Sequence, residues 1–280
     1  MDYNLSINEL RTLLSTEAYR ATNYPCHNVA GFEDLGDYGD IKNLFDDMLT
    51  DLGRPPSQKE YVAAGTERAK KFFEPNTASG RTSVHTIRKN GKTTTHAFTW
   101  NSELITACQK RLSRTYPSLL VEYAAIVMIK EMYPTFKLAA NKYIDGIFGA
   151  DIVVASKENN KVFYVHVIRN TATARGYLQA KATKKGKCQD VFGNNKYFIR
   201  NWDKSHIELA YDTFASDHTE NINGNFIMKP SYIKEIIAKE IASPAGSTDA
   251  FNSKNQISIF HTWLIDNKID NEGLKGVWLN

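Results

Sequence analysis

Residues that could do chemistry cluster in the middle of the sequence, in two apolar runs of strand type and one apolar helical stretch. Asp151 opens the run DIVVAS, and the next run, KVFYVHVIRNT, contains His166 and Arg169. Glu122 stands inside a helical stretch of apolar residues, where a carboxylate is costly unless it is paired, protonated or bound to a cation. The alternatives are a metal-binding hairpin, the remains of one, or an ordinary hairpin with polar residues and a Glu122 that faces water.

The elements that must position these side chains follow from apolar spacing and turn residues. A long helical stretch follows Trp100, is divided by Pro117, and should be buried in its second half, Ser118 to Tyr133. Strands are predicted on both sides of a turn in FKLAANKYIDGIFGADIVVAS, and in KVFYVHVIRNT, NKYFIR and HIELAYDTF. Helices are predicted in ATARGYLQAKATKKG, which is basic, and in KPSYIKEIIAKEIAS. The last apolar residues should dock on the core: Ile257, Phe260, Trp263 and Trp278.

The sequence before the long stretch predicts several helices. Residues 4–52 are predicted to be largely helical, with a helix in GDIKNLFDDMLTDLG that ends at Gly53. A further helix should start at Ser57 and stop before Pro75. Serine and glutamate occur at capping-box spacing at two helix starts, Ser6 with Glu9 and Ser57 with Glu60. Two helices joined by a short turn could form a small DNA-reading module or a plain helical cap.

A β-hairpin is predicted over residues 83–100, SVHTIRKNGKTTTHAFTW, because Asn90-Gly91 is a favoured two-residue hairpin turn. That turn sets the register and places His85 directly opposite His96. Two imidazoles on one face could share a metal ion or a phosphate. The alternative is a cross-strand pair without a ligand.

From residue 118 onward the order is a helix with an embedded glutamate, a strand, an acid-bearing strand, a strand with polar residues and a basic helix. This order resembles the PD-(D/E)xK nuclease superfamily, with its restriction-endonuclease-like fold. The matching stretches are LLVEYAAIVMIKEMYP, FGADIVV and YVHVIRNT. The resemblance implies that Glu122, Asp151 and His166 hold Mg²⁺ or Mn²⁺, which would polarise a phosphodiester and acidify a water molecule.

The sequence departs from the superfamily pattern at two positions of the last motif. His166 falls on the position of an acid or glutamine, where it would bind a metal or act as a base, and Ile168 falls on the lysine position. Isoleucine cannot activate a water molecule, so Arg169, Lys181 or Gln179 would have to supply the missing polar group. Otherwise catalysis is lost while the fold and a basic surface remain.

Charge is distributed unevenly along the chain, whose net charge is +4. Residues 1–54 carry ten acids and four bases, whereas residues 159–189, here called the basic segment, carry seven bases and no acid. A basic segment favours a polyanion such as nucleic acid, although a solvated face is the alternative. The residues predicted to bind nucleic acid are Arg175, Lys184, Lys185, Lys187, Arg200, Asn201 and Lys204.

The order of predicted helices and strands indicates an α/β protein, and the resemblance implies a restriction-endonuclease-like mixed β-sheet flanked by helices over residues 101–280. A helical region at 1–75 and a β-hairpin at 76–100 precede it. Three scattered cysteines, the lack of a long apolar run and the lack of a secretion signal favour a cytoplasmic location without membrane contact.

Two hypotheses about function follow from this sequence. The first is a metal-dependent endonuclease of phage or mobile-element type that acts on DNA rather than RNA. The second is a catalytically degenerate relative that binds nucleic acid or a protein partner, as an inhibitor or an assembly subunit. A protein partner could bind the acidic N-terminal region, and a homodimer is also possible.

Overall fold

The computed structural model describes residues 5–19, 29–36, 38–74, 83–89, 92–140, 150–156, 161–176, 188–189, 195–196, 206–213 and 215–242. The longer helices in these ranges are α1 (Ile7–Thr16), α2 (Ile41–Leu52), α3 (Gln58–Phe73), α4 (Ser102–Met132) and α5 (Pro230–Ala242). The first five strands are β1 (Ser83–Lys89), β2 (Lys92–Phe98), β3 (Phe136–Ala139), β4 (Ile152–Ser156) and β5 (Lys161–Arg169). The other five are β6 (Cys188–Gln189), β7 (Asn195–Lys196), β8 (His206–Tyr211), β9 (Thr219–Ile222) and β10 (Asn225–Met228). Within these ranges no helix is long and apolar enough to cross a membrane.

The chain forms two compact units. Unit 1 combines Met1–Thr16 with Leu120–Asn280, and unit 2 is Glu17–Leu119. The predicted boundaries, after residues 75 and 100, do not coincide with this division, which falls after Thr16 and after Leu119. The helix α1 thus belongs with the C-terminal part of the chain. The helices and mixed strands confirm the predicted α/β class at this coarse level.

In unit 2, the helix α3 begins and the helix α2 ends at the predicted residues. Ser57 and Glu60 form the complete capping box, and Gly53 ends α2 in the left-handed conformation with φ 64°. Hydrogen bonding to Arg54 lowers the pKa of Glu60 to about 2. The prediction that residues 4–52 are largely helical is wrong for 29–36, where Gly31 and other residues form turns instead.

The predicted hairpin of unit 2 is confirmed, including its register. The strands β1 and β2 pair antiparallel, with His85 opposite His96 and Ile87 opposite Thr94. The hairpin packs on a core that it shares with α3 and the first part of α4. Buried members of this core include Phe32, Leu35, Tyr38, Ala69, Phe73, Ile87, Phe98, Leu104, Ala107 and Cys108.

Unit 1 contains a four-stranded mixed sheet with the strand order β3-β4-β5-β8. The first three strands pair antiparallel, and β8 lies parallel to β5, so a crossover connection joins these two strands. Four consecutive residues of β5 are buried, from Phe163 to His166. The predicted strands at 136–139, 152–156, 161–169 and 206–211 are therefore confirmed, and β5 is an inner strand of the sheet.

The long helix α4 is continuous, so the prediction that Pro117 divides it is wrong. A proline within a helix removes one backbone donor. Packing compensates here, because Tyr116, Leu120 and Val121 beside it are all buried. The predicted burial of the second half is confirmed, since every residue from Leu120 to Ile129 except Glu122 is buried.

Two features of unit 1 were not predicted from the sequence. The backbone N–H of Ile7 in α1 donates to Glu131 Oε2 at 2.6 Å, which ties α1 to the end of α4. The strands β9 and β10 form a hairpin around Asn223 and Gly224, whose φ angles are 53° and 86°. The same Asn-Gly turn signal that identified the first hairpin would have found this one.

Candidate functional site

Asp151 stands at the head of β4, where the chain bends into the sheet. Its backbone N–H donates to Val165 O at 3.0 Å, and its carboxylate Oδ2 accepts from Val167 N at 2.6 Å. The side chain thus takes the place of a backbone acceptor just beyond the last β4–β5 ladder pair. This arrangement gives the half-buried carboxylate a structural role in holding β5.

His166 lies in β5 and is only 1% exposed. Its register neighbour on the parallel strand β8 is Glu208, whose side chain is exposed. A base or metal ligand must contact the reacting water or the cation, and this burial leaves the imidazole almost no contact with solvent.

Glu122 confirms the expectation of a carboxylate embedded in a buried helix. It is half-buried, and its neighbours Val121 and Tyr123 are buried. In the described part of the chain, no group of three or more His, Cys, Asp or Glu residues could hold a metal ion. Glu122, Asp151 and His166 are all described and do not form such a group, so metal binding at these residues stays a prediction.

Arg169 does not replace the missing lysine by way of a bulge. The β5–β8 ladder is regular from Tyr164 opposite His206 to Arg169 opposite Tyr211. His166 and the half-buried Ile168 share one face of the sheet, and strand alternation therefore places Arg169 on the other face. The Arg169 guanidinium is exposed and donates to Thr213 Oγ1 at 3.4 Å.

Arg175 follows β5 at the start of the predicted basic helix, and residues 172–176 are helical. The Thr171 hydroxyl accepts from Ala174 N at 3.2 Å, which caps this turn. The Arg175 guanidinium donates to Asn170 Oδ1 at 2.8 Å and forms an ion pair with Glu208 at 3.2 Å. Both groups are half exposed, so the pair is weak and a phosphate could compete for the arginine.

Glu208 was not identified from the sequence, although a charged residue within the apolar strand HIELAY was a usable signal. Its partner was not predictable, because the ion pair depends on the parallel pairing of β5 with β8.

The remaining predicted residues lie outside the described part of the chain. They are Lys181, Lys184, Lys185, Lys187, Arg200, Asn201 and Lys204, together with Gln179 and the C-terminal residues predicted to dock on the core.

Comparison with known proteins adds no assignment. No protein-family model, no curated protein and no solved structure matches the chain.

Proposed function

We propose that the protein binds nucleic acid through unit 1, on a nuclease-like sheet that no longer cuts. The observation that carries this proposal is the environment of Asp151 and His166, the two residues on the metal-binding positions of the strand motifs. The Asp151 carboxylate accepts Val167 N at 2.6 Å, and His166 is 1% exposed. The Asp151 carboxylate holds β5, the His166 imidazole has almost no contact with solvent, and Ile168 on the lysine position has no polar side-chain atom.

The order of elements supports the nuclease-like part of the proposal. The chain passes through α4, β3, β4 and β5, which is the order on which the resemblance to the PD-(D/E)xK superfamily rests. Glu122 lies in α4, and Asp151 lies at the head of β4, as that resemblance predicts.

The basic segment supports the binding part of the proposal. Its first base is Lys161 in β5, and its next two bases, Arg169 and Arg175, have exposed guanidinium groups. Its seven bases are not balanced by any acid between residues 159 and 189. Binding through such a segment releases counterions from the phosphate backbone, so the affinity should fall steeply as salt rises.

A second candidate function is metal-dependent phosphodiester cleavage. The observation that favours it is that Glu122 and Asp151 are both half-buried, so neither is sealed from solvent as His166 is. Mg²⁺ or Mn²⁺ needs only one or two carboxylates when water and phosphate supply the other ligands. This alternative requires the two carboxylates to approach one cation.

The test incubates the full chain with plasmid, single-stranded DNA and RNA in the presence of Mg²⁺ or Mn²⁺. We expect retention of DNA that weakens with salt, and no new strand ends. Replacing Lys184, Lys185 and Lys187 together by Gln should make the log-log salt slope shallower by about 3. Asp151→Asn is the matched control for cleavage, because the amide oxygen can still accept from Val167 N while the negative charge is lost.

The outcomes separate the two candidates. Cutting by the wild-type chain that disappears in Asp151→Asn would establish the endonuclease and overturn the proposal of a non-cutting binder. Neither retention nor cutting, at any salt concentration tested, would overturn both.

A further inference from the structure

We propose that unit 2 carries a separate binding element for double-stranded DNA, the ribbon formed by β1 and β2. This inference goes beyond the proposed function, because it concerns a different unit and does not involve the basic segment. The ribbon would enter the major groove with its outer face, which consists of the exposed residues Val84, Thr86, Thr93, Thr95 and Ala97.

The shape of the ribbon fits this role. Among the strands that the structure describes, β1 and β2 pair only with each other. The register places Val84 opposite Ala97 and Thr86 opposite Thr95, so these four residues share one face. Val84 is 62% exposed, which is unusual for a valine in a strand. The major groove of B-DNA is wide enough to admit a two-stranded ribbon.

The inner face of the ribbon is anchored, which makes the element rigid before it binds. Phe98 lies 5.5 Å from Phe73 between ring centroids, and the His85 ring stacks on Phe72 at 4.7 Å. Ile87 is buried in the same core. A two-stranded hairpin alone is marginally stable in water, so this anchor is what fixes the ribbon on the end of α3.

Charge and side-chain chemistry identify the occupant. Residues 83–98 contain no acid and three bases next to the turn, Arg88, Lys89 and Lys92. By the register, Lys89 and Lys92 lie opposite each other at the turn end of the other face, so their expected contacts are phosphates beside the groove and not base edges. Threonine hydroxyls can donate to phosphate oxygens, and threonine and valine methyl groups suit the thymine methyl group. Duplex RNA is a poorer fit, because its major groove is too deep and narrow for side chains to read.

The experiment measures the anisotropy of labelled DNA duplexes of about two helical turns, with RNA duplexes and single strands of the same sequence. In the test variant, Arg88, Lys89 and Lys92 are all changed to Gln. The matched control changes three exposed lysines of unit 1 outside the basic segment to Gln: Lys137, Lys234 and Lys239. We expect the test variant to lose about tenfold in duplex affinity, with a salt slope shallower by about 3, and the control to resemble wild type.

A second variant probes the outer face without removing a base. Thr86→Glu with Thr95→Glu adds two carboxylates at exposed positions that pack on nothing in the core. We expect the same loss of duplex binding, because like charges would then face the phosphates. The melting temperature should fall somewhat, because the two carboxylates lie directly opposite each other and replace hydroxyls that meet at 3.5 Å, so binding is compared at a temperature where the variant is fully folded.

Several outcomes would overturn the inference: duplex binding of both variants equal to that of the control, equal affinity for duplex RNA, or dimers formed through the ribbon edges without DNA binding. The two proposals fail separately. If changing Lys184, Lys185 and Lys187 weakens binding and the ribbon variants do not, only the ribbon inference fails. The reverse pattern removes the role of the basic segment alone.

Discussion

His85 is a residue whose ionisation should couple to the stability of unit 2. Its ring stacks on Phe72 at 4.7 Å between centroids and meets the edge of Phe73, and burial lowers its pKa below the ordinary value of 6.5. As the pH falls below that value, the unfolded chain takes up a proton that the folded chain resists. We therefore expect the free energy of unfolding to decrease from pH 7.5 to pH 5.

Urea unfolding of wild type and His85→Phe across this pH range provides the measurement. The phenyl ring keeps the aromatic packing and cannot titrate, so the variant should lose part of the pH dependence whatever its stability at pH 7.5. An identical slope in both proteins would show that His85 titrates equally in the folded and unfolded chains.

Single residues also show which parts of the candidate site were readable from sequence. Glu122 was predictable, because a carboxylate among apolar residues at helical spacing stands out. The hydrogen bond from Val167 N to Asp151 was not, because it depends on how the chain bends before β4. The ion pair of Arg175 with Glu208 joins residues 33 positions apart and requires the parallel strand pairing.

At the scale of elements, the residues just before α2 lie close to the backbone of α3. For this reason, replacing Gly39, before α2, should cost more stability than replacing Gly53, after α2, although both have the same φ angle. Gly39 and Gly53 both have φ 64°. A Cβ at Gly39 would lie 2.7 Å from the backbone oxygen of Arg68, whereas a Cβ at Gly53 would meet nothing within 4 Å. We expect Gly53→Ala to cost about 1–2 kcal/mol from backbone strain, and Gly39→Ala to cost at least about 1 kcal/mol more.

Chemical unfolding monitored by tryptophan fluorescence and circular dichroism would compare these two variants. The strain is common to both, so their difference isolates the collision with the backbone of α3. Equal stability would mean that the turn before α2 can shift away from α3 without cost.

Elements with local signals were predicted well, and elements that depend on distant partners were not. The capping box at Ser57 and the turn at Asn90-Gly91 act within a few residues, so the α3 start and the register of β1 with β2 followed from sequence. Pro117 misled the prediction, because burial of the residues around it outweighs one lost hydrogen bond. The β3-β4-β5-β8 order requires knowledge of strand pairing across the chain.

For the whole molecule, the division into units could not be read from the sequence. The composition changes near residue 54, yet α1 belongs to unit 1, whose other residues begin at Leu120. Arg11 forms an ion pair with Glu220 at 2.8 Å, and Asn223 Nδ2 donates to Ser15 O at 3.2 Å. These partners lie about 200 positions away in sequence, so no local pattern marks them.

The assignment of α1 to unit 1 predicts which backbone amides exchange faster when α1 is destabilised. Leu10→Ala removes a fully buried side chain and should cost about 2–5 kcal/mol, whereas Thr12→Ala, on the exposed side of the same helix, should be nearly neutral. Hydrogen exchange of Leu10→Ala should therefore accelerate in β9 and β10, while the β1–β2 ribbon keeps its wild-type protection. Faster exchange in the ribbon without a change in β9 and β10 would contradict the assignment of α1 to unit 1.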